Sequence, residues 1–506
     1  MEYSQISLAV TTSIPADQQR AHASECKDGD SGGLVSYTRK EHDQILQWNS
    51  TRLDEVQECL HWRIEEHCRS HPNREAIKST ARTYTYRELN DASARLAFRL
   101  RSEFAVRPEV IVPICFPKSA YTIVAMLAVL RAGGAYALLD PSQPLERLRS
   151  MLGKIKGSVA IASPTTAWLV EDVPNVISLS DERIGCLPCT SATFVSSTEV
   201  KPNNACTILF TSGSTGNPKG IVLEHRQLCK VFTEHGKSAG FCLGLRVLQF
   251  SAYTFDTCNS EIFETLFYGG VVCVPSEEER MNDPEEFATA NSVEWAFSTP
   301  SLASLLRPSA MPTLKTLAIG GEVIPLEVIN RWKNHVRLII TYGPAECSIY
   351  TSITDYESNK DVGTIGKAHG SRLWIVNPEN HEDLLPTGSV GELLIEGPIV
   401  AREYLNDPEL SSKSFIQAPT WRSLQQHLQK PGRFYTTGDL MKYDPDGRVR
   451  FVGRKDNQIK LRGQRIELGE VEHHVGSKFL RSKSAYCAWF RGVTSCFRTL
   501  ERLGLR

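Results

Sequence analysis

Neither sign of charge dominates this chain: 57 Lys and Arg stand against 58 Asp and Glu, for a formal net charge of −1. No global basic excess points to a nucleic acid or to an anionic membrane surface. The first residues, Met1 to Pro15, lack a basic segment and carry Glu2 early, which argues against a secretory signal. Long apolar runs are missing too. The best candidate, Tyr121–Leu139, is broken by Arg131, Gly133 and Gly134 into a helix-length and a strand-length piece. Each is too short for a hydrocarbon layer of roughly 30 Å, so the stretch predicts a buried helix followed by a strand. Internal repeats and low-complexity tracts are absent. The 14 cysteines are scattered over 506 residues, unlike a small disulfide scaffold, and read as reduced thiols of a cytoplasmic protein.

With 41% hydrophobic and 23% charged residues the chain reads as globular, and its 506 residues exceed one compact core. Residues 1–45 are polar, with Asp28-Gly29-Asp30-Ser31-Gly32-Gly33 at their centre, and read as a flexible leader. Apolar periodicity starts near Leu53, with Val56, Leu60 and Ile64 at helical spacing. Helices are expected at Tyr86–Ser102 and Lys118–Ala132. Apolar runs at Val110–Cys115, Ala135–Leu139, Cys206–Phe210, Val271–Val274 and Leu338–Thr341 predict strands. Their alternation with helices predicts parallel α/β sheets. After about residue 365 the texture changes. Leu373–Val376, Gly391–Gly397 and Arg448–Val452 are joined by turn residues such as Asp444-Pro445-Asp446-Gly447, which predicts an antiparallel or barrel-like unit.

The strand Cys206–Phe210 runs into Thr211-Ser212-Gly213-Ser214-Thr215-Gly216-Asn217-Pro218-Lys219-Gly220. Glycines let a backbone approach an anion closely, and successive N–H groups can form an anion-binding nest. Ser212, Ser214 and Thr215 add hydroxyl donors, and Lys219 adds a charge for a polyphosphate. The loop is not the usual P-loop, because no Ser or Thr follows Lys219.

This loop resembles the phosphate-binding signature of the adenylate-forming superfamily, and further motifs follow the order of peptide-synthetase adenylation domains of the fungal type. They are Tyr84-Thr85-Tyr86-Arg87-Glu88-Leu89, Leu130–Tyr136 with Asp140-Pro141, Thr341-Tyr342-Gly343-Pro344-Ala345-Glu346, and Gly391-Glu392-Leu393 through Leu405. Tyr435-Thr436-Thr437-Gly438-Asp439-Leu440 and Gly453-Arg454-Lys455-Asp456 through Glu470 complete the set. The resemblance covers about residues 45–475. It implies an α/β adenylate-forming fold: two α/β subdomains and a small β-barrel over residues 46–454, then an incomplete α+β C-terminal subdomain at 455–506.

The resemblance also implies roles. ATP and magnesium are the expected cofactors, with phosphopantetheine on a separate carrier domain. The partners are an amino acid and a carrier protein or other synthetase modules. Thr211, Lys219 and Glu346 are the expected catalytic residues, Glu346 holding magnesium. Thr211, Ser212, Gly213, Ser214, Thr215, Gly216 and Lys219 would embrace the phosphates. Gly320, Gly321 and Glu322 would line the adenine, Tyr342 stack on it, Asp439 accept from the ribose diol and Arg454 contact the nucleotide from the far side. Asp456 matches the hinge of the small subdomain. Asp256 matches the acceptor of a substrate α-ammonium. Carrying the pocket across by spacing gives Asp256, Thr257, Ser260, Phe297, Leu317, Ile319, Thr341, Ile349 and Tyr350, a roomy lining that suggests an apolar side chain while permitting some polarity.

The family pattern stops near Val475. The lysine that bridges the substrate carboxylate and the α-phosphate has no counterpart, and Gly476–Arg506 is a basic tail without the family's signature. The expectation is a chain that binds ATP and an amino acid but adenylates poorly. The alternatives are a non-catalytic nucleotide-binding remnant, and an acyl- or aryl-CoA ligase, against which Asp256 counts. Cys186 and Cys189, the His67/Cys68/His71 group and His473-His474 are set aside as metal or redox sites.

Overall fold

A computed structural model describes residues 38–180, 183–184, 199–212, 217–425, 428–456, 458–461 and 464–467. The first helix, Arg39–Trp48, begins inside the stretch read as leader. Thr38 Oγ1 accepts from the Glu41 N–H at 3.2 Å and Glu41 takes the Thr38 N–H at 2.9 Å, a reciprocal capping box. Ile45 and Leu46 are buried, so this helix belongs to the packed body; the rest of the stretch read as leader lies outside the described residues. The next helix is Leu60–Ser70. Residues 53–59, expected to share its periodicity, have no regular structure. The Gln429 amide takes both backbone groups of Leu53, at 2.9 and 3.0 Å, in place of helical partners.

Two sheets carry the architecture. The smaller has seven strands, in spatial order Glu403–Tyr404, Lys219–Glu224, Ala205–Thr211, Ala135–Leu139, Ile111–Cys115, Val159–Ala162 and Asn175–Ser178. The last five are mutually parallel, and Lys219–Glu224 closes an antiparallel hairpin on Ala205–Thr211. The larger sheet has 14 strands. Its parallel block is Glu75–Ser79, Val271–Val274, Arg246–Leu248, Trp295–Ser298, Thr316–Gly320 and Arg337–Tyr342. Ser352–Asp355 and Thr364–Ala368 continue it antiparallel into the strands Val449–Arg454, Phe434–Tyr443, Gly391–Glu396, Arg372–Asn377 and Asn380–Leu384. The antiparallel unit expected after residue 365 is thus hydrogen-bonded into the larger sheet.

One core cluster draws on both sheets. The stretch singled out for its apolarity, Ala120–Ala132 followed by Ala135–Leu139, is buried except for the half-buried Tyr121. Its Arg131 is neutralised inside the fold: the guanidinium meets Glu65 at 3.0 Å, the Asn90 carbonyl at 2.9 Å and Ser93 Oγ at 2.9 Å. Gly133 ends the helix at φ +102°, a conformation that favours glycine. Among the described residues no helix is long and apolar enough to cross a membrane. The nine described cysteines are all free, eight of them buried.

Two histidines sit in the core where Leu60–Ser70 crosses the helix His225–Ala239. Their rings lie 5.6 Å apart. His225 Nδ1 accepts the Leu60 N–H at 3.2 Å, whereas neither His61 nitrogen has a partner in the protein. Burial holds both rings neutral, His61 well below the usual imidazole range and His225 down at about 3. A depressed histidine binds fewer protons folded than unfolded, so its contribution is complete above about pH 6.5 and is lost as pH falls below it. His61→Leu removes two unpaired polar atoms. It should raise stability at pH 7 by about 1 kcal/mol and flatten the decline between pH 7 and 5. Urea midpoints over that range check both effects, and an unchanged slope would contradict the neutral burial.

Candidate functional site

Parallel α/β sheets expose backbone and loops at the C-terminal ends of their strands, where ligands bind. Thr211, Gly320 and Tyr342 each end such a strand. Around them the structure gathers three groups of side chains.

The first group surrounds the phosphate loop. Thr211 and Lys219 face each other across the hairpin, so the two ends of the motif are held together. Gly213, Ser214, Thr215 and Gly216 lie outside the described residues. Thr211 Oγ1 is buried without a hydrogen-bond partner, an orphaned donor at the loop's entrance. Lys154 clamps the loop's far end, its ammonium on the Pro218 carbonyl at 2.7 Å. Leu405 N–H bonds the Gly220 carbonyl at 2.6 Å, and Tyr404 pairs with Ile221. Tyr404 also reaches across to Glu346, donating to Oε1 at 2.8 Å. Glu346 lies in the short turn Ala345–Cys347 and is fully buried. The tyrosine thereby ties this carboxylate of the larger sheet to the strand beside Lys219. No group of three or more His, Cys, Asp or Glu suited to a metal occurs among the described residues. Glu346 fits a magnesium ion that brings its remaining oxygen ligands with a polyphosphate and water, not a metal caged by protein alone.

The second group is a polar chain along two antiparallel strands. Asp439 and Arg454 are direct cross-strand partners. Asp439 Oδ1 accepts from Arg454 Nη1 at 2.6 Å and Oδ2 from the Tyr342 hydroxyl at 2.5 Å. A carboxylate has about four lone-pair directions, so both oxygens keep acceptor capacity. Arg454 then forks onto both Asp456 oxygens, at 2.7 and 2.6 Å. Burial, with the Asp439 charge, holds the Tyr342 phenol protonated well above its usual range, and the tether fixes its ring. Gly438 allows the approach: it stands at φ +71°, and a Cβ there would lie 2.8 Å from Arg454 Nη2. Glu322 of the expected adenine segment is turned onto Ser301, whose N–H and hydroxyl it accepts at 3.0 and 2.7 Å.

The third group is the pocket behind Asp256. Asp256 caps the turn Thr257–Asn259, its Oδ1 accepting the Thr257 N–H at 2.8 Å. The following Ser260–Glu264 turn is a π-helix, a form frequent at functional sites. Ser260 and Tyr350 are buried near Asp256, whose charge is felt at the Tyr350 phenol. Ile349 follows Ser348 in left-handed backbone, φ +85° and +57°, a strain of about 1–3 kcal/mol for a non-glycine residue. The Ser348 hydroxyl on the Ile399 carbonyl and the Thr351 N–H on the Tyr342 carbonyl, at 2.7 and 2.9 Å, hold it.

The strands correct two pocket assignments. Partners across parallel strands share a face: Phe297 with Ala318 and Ile339, and Gly320 with Thr341. Phe297, Ala318 and Ile339 pack in the cluster that holds Ile349 and Tyr350. Leu317 and Ile319, taken as lining from spacing, are on the opposite face, packed with Leu314, Val328, Ile329 and Trp332. Ala318 and Gly320 stand on the pocket face instead. A one-residue slip on a strand exchanges its faces, and here it exchanges two large side chains for a methyl group and a hydrogen. A Cβ at Gly320 would lie 2.4 Å from Thr341 Oγ1, so the position demands glycine.

Sequence reading also missed what lies under Thr257. Thr257 Oγ1 donates to Ser251 Oγ at 2.9 Å, and Ser251 Oγ to Glu261 Oε1 at 2.8 Å. Gln249 links Glu261, 3.0 Å away, to Lys118, whose ammonium donates to Gln249 Oε1 at 2.6 Å and to the Ser251 carbonyl at 2.7 Å. Lys118 and Glu261 are both buried. Burial lowers the Lys118 ammonium and raises the Glu261 carboxyl, and each charge opposes the shift of the other. No local motif announces such a pair.

The family description AMP-binding enzyme matches residues 64–405. The nonribosomal peptide synthetase atnA of Emericella nidulans is 43% identical over 440 residues, 86% of this chain and 6% of that protein. The N-benzoylphenylalaninol synthetase apmA of Penicillium brevicompactum is 43% identical over 445 residues, 86% of this chain and 18% of that protein. The NRPS-like oxidoreductase fscA of Fusarium equiseti is 41% identical over 437 residues, 86% of this chain and 42% of that protein. The chain therefore spans less than half the length of each of these relatives. Among solved structures, a nonribosomal peptide synthetase protein containing adenylation and PCP domains superimposes with a TM-score of 0.73 at 25% identity, covering 84% of this chain and 73% of that one.

The Lys118 network yields a stability test. Lys118→Met strands Glu261 without its counter-charge and should cost about 3 kcal/mol, whereas adding Glu261→Gln should restore part of it. Denaturant unfolding of both variants checks this; a double variant less stable than the single one would contradict the pairing.

Proposed function

The chain belongs to the AMP-binding enzyme family, and from that membership we propose that it activates an α-amino acid by adenylation. A carboxylate oxygen of the amino acid attacks the α-phosphorus of ATP. The bond from that phosphorus to the bridging oxygen breaks, and aminoacyl-AMP and pyrophosphate form. Catalysis of this kind is chiefly positioning and charge neutralisation. The observation that carries the reading is the Tyr342–Asp439–Arg454 chain at the end of a parallel strand, a carboxylate with acceptor capacity held rigid where a ribose diol can meet it.

Each remaining part has a place in this reading. Thr211 and Lys219, at the base of the loop, receive the phosphates, with Ser212 and residues 213–216 between them. Glu346 supplies a protein oxygen to magnesium, whose charge offsets that of the triphosphate. Gly320 and Gly321 present backbone to the adenine. Asp256 accepts the substrate ammonium, while Thr257, Ser260, Phe297, Thr341, Ile349 and Tyr350, now with Ala318 and Gly320, surround its side chain. Asp456 serves as the hinge, latched here by Arg454. The acyl group then passes to a phosphopantetheinyl carrier; the structural relative that contains a PCP domain beside its adenylation domain supports that step.

Equilibrium binding and amino-acid-dependent exchange of pyrophosphate into ATP test the proposal. Asp439→Ala should weaken ATP binding at least about tenfold, and Asp256→Ala should weaken amino-acid binding about 10- to 100-fold without a matching loss for ATP. A chain that binds no amino acid, with or without ATP, would defeat the reading.

A further inference from the structure

The floor of the pocket is polar, and its polarity comes from residues behind the lining. Ser260 Oγ donates to Glu264 Oε2 at 2.5 Å, and His235 Nδ1 meets Glu264 Oε1 at 2.7 Å. His235 comes from the helix His225–Ala239 and is stacked on Tyr350, ring centroids 4.0 Å apart and planes within 15°. Exposure is 0% for Ser260 and Glu264, 1% for His235 and 3% for Tyr350. Such a buried group is costly unless it is satisfied, and Glu264 is: both oxygens are in use. Three polar atoms around it are not. Tyr350 Oη, His235 Nε2 and Trp295 Nε1 are buried without a hydrogen bond, and Trp295 lies on the strand face of Phe297, edge-on to His235.

The donor and acceptor balance says what fits. The single proton of Ser260 is committed to Glu264, so Ser260 offers the pocket only lone pairs and asks for a donor. The Tyr350 hydroxyl has a proton of its own to give. Burial and the Glu264 charge keep that phenol protonated. With Glu264 already paired, no bare anion remains to attract a cation. Beside Phe297, the same strand face carries only the methyl group of Ala318 and the hydrogen of Gly320.

We propose that the substrate's uncharged side chain ends in a hydroxyl or carboxamide, which donates to Ser260 and accepts from Tyr350. Glu264 and His235 are positioning residues that set the direction of Ser260. This inference rests on the amino-acid adenylation reading above.

The test is calorimetric binding of sulfamate-linked, nonhydrolysable aminoacyl-adenylate analogues in size-matched pairs: phenylalanyl and tyrosyl, leucyl and asparaginyl, valyl and threonyl. In at least one pair the polar member should bind about tenfold tighter or more, since a site built to hydrogen-bond a group rejects the analogue lacking it. Glu264→Gln and Ser260→Ala should each cut that ratio several-fold, a selectivity readout that a purely structural role would not move. Tighter or equal binding of the apolar member in every pair, or a ratio unmoved in both variants, would overturn the inference and leave adenylation standing. No binding of any analogue would overturn the adenylation reading and this inference together.

Discussion

Successive side chains of a strand point to opposite faces, and three paired strands of the larger sheet share one such alternation. Trp295, Phe297, Ala318, Ile339 and Thr341 are on the face of the pocket; Leu317, Ile319 and Leu338 are on the other. The lining proposed from these three strands depends on this partition. It places an orphaned indole beside His235, and it leaves a methyl group and a glycine where bulk would have closed the pocket. The opposite face seals the sheet against Trp332 and its neighbours, so the strands cannot shift register without burying the wrong set.

Buried polar groups are the second constraint. Lys118 with Glu261 and His235 with Glu264 are each joined to the Asp256–Ser260 segment through a hydroxyl, Ser251 or Ser260. Isolated, any of these charges would be expensive to bury; connected, they fix the rotamers of the groups in front of them. The π-helical turn Ser260–Glu264 belongs to the same device. It brings Glu264 under Ser260, and the Thr265 hydroxyl back-bonds to the Glu261 carbonyl at 2.7 Å. The proposed pocket is thus held in place by the protein's own contacts.

The nucleotide side uses different means for the same end. Tyr404 and Glu346 connect the two sheets beside the hairpin, and Arg454 divides its guanidinium between Asp439 and Asp456. One arginine therefore couples the proposed ribose acceptor to the residue proposed as the hinge. Any displacement of Asp456 alters the partners of Arg454 and, through it, the charge environment of Asp439.

Much of this was legible in the chain itself. Apolar runs located Tyr86–Ser102, Ala120–Ala132 and Ala135–Leu139 almost to the residue, because those elements are specified by local periodicity. The ordered motifs singled out Thr211, Tyr342, Glu346 and Asp439 as candidates, because each motif is a short contiguous segment. What stayed hidden was long-range. The helix Arg39–Trp48 shows few apolar positions and is recognised only by what it packs against. The faces of Leu317 and Ala318 are decided by pairing with strands tens of residues away. Glu264 meets His235 from another helix, 29 positions earlier in the chain. The sequence by itself determined the elements, the loop and the family; only the tertiary structure decided which side chains meet, because strand register and the neutralisation of buried charge are properties of packed partners that no single segment contains.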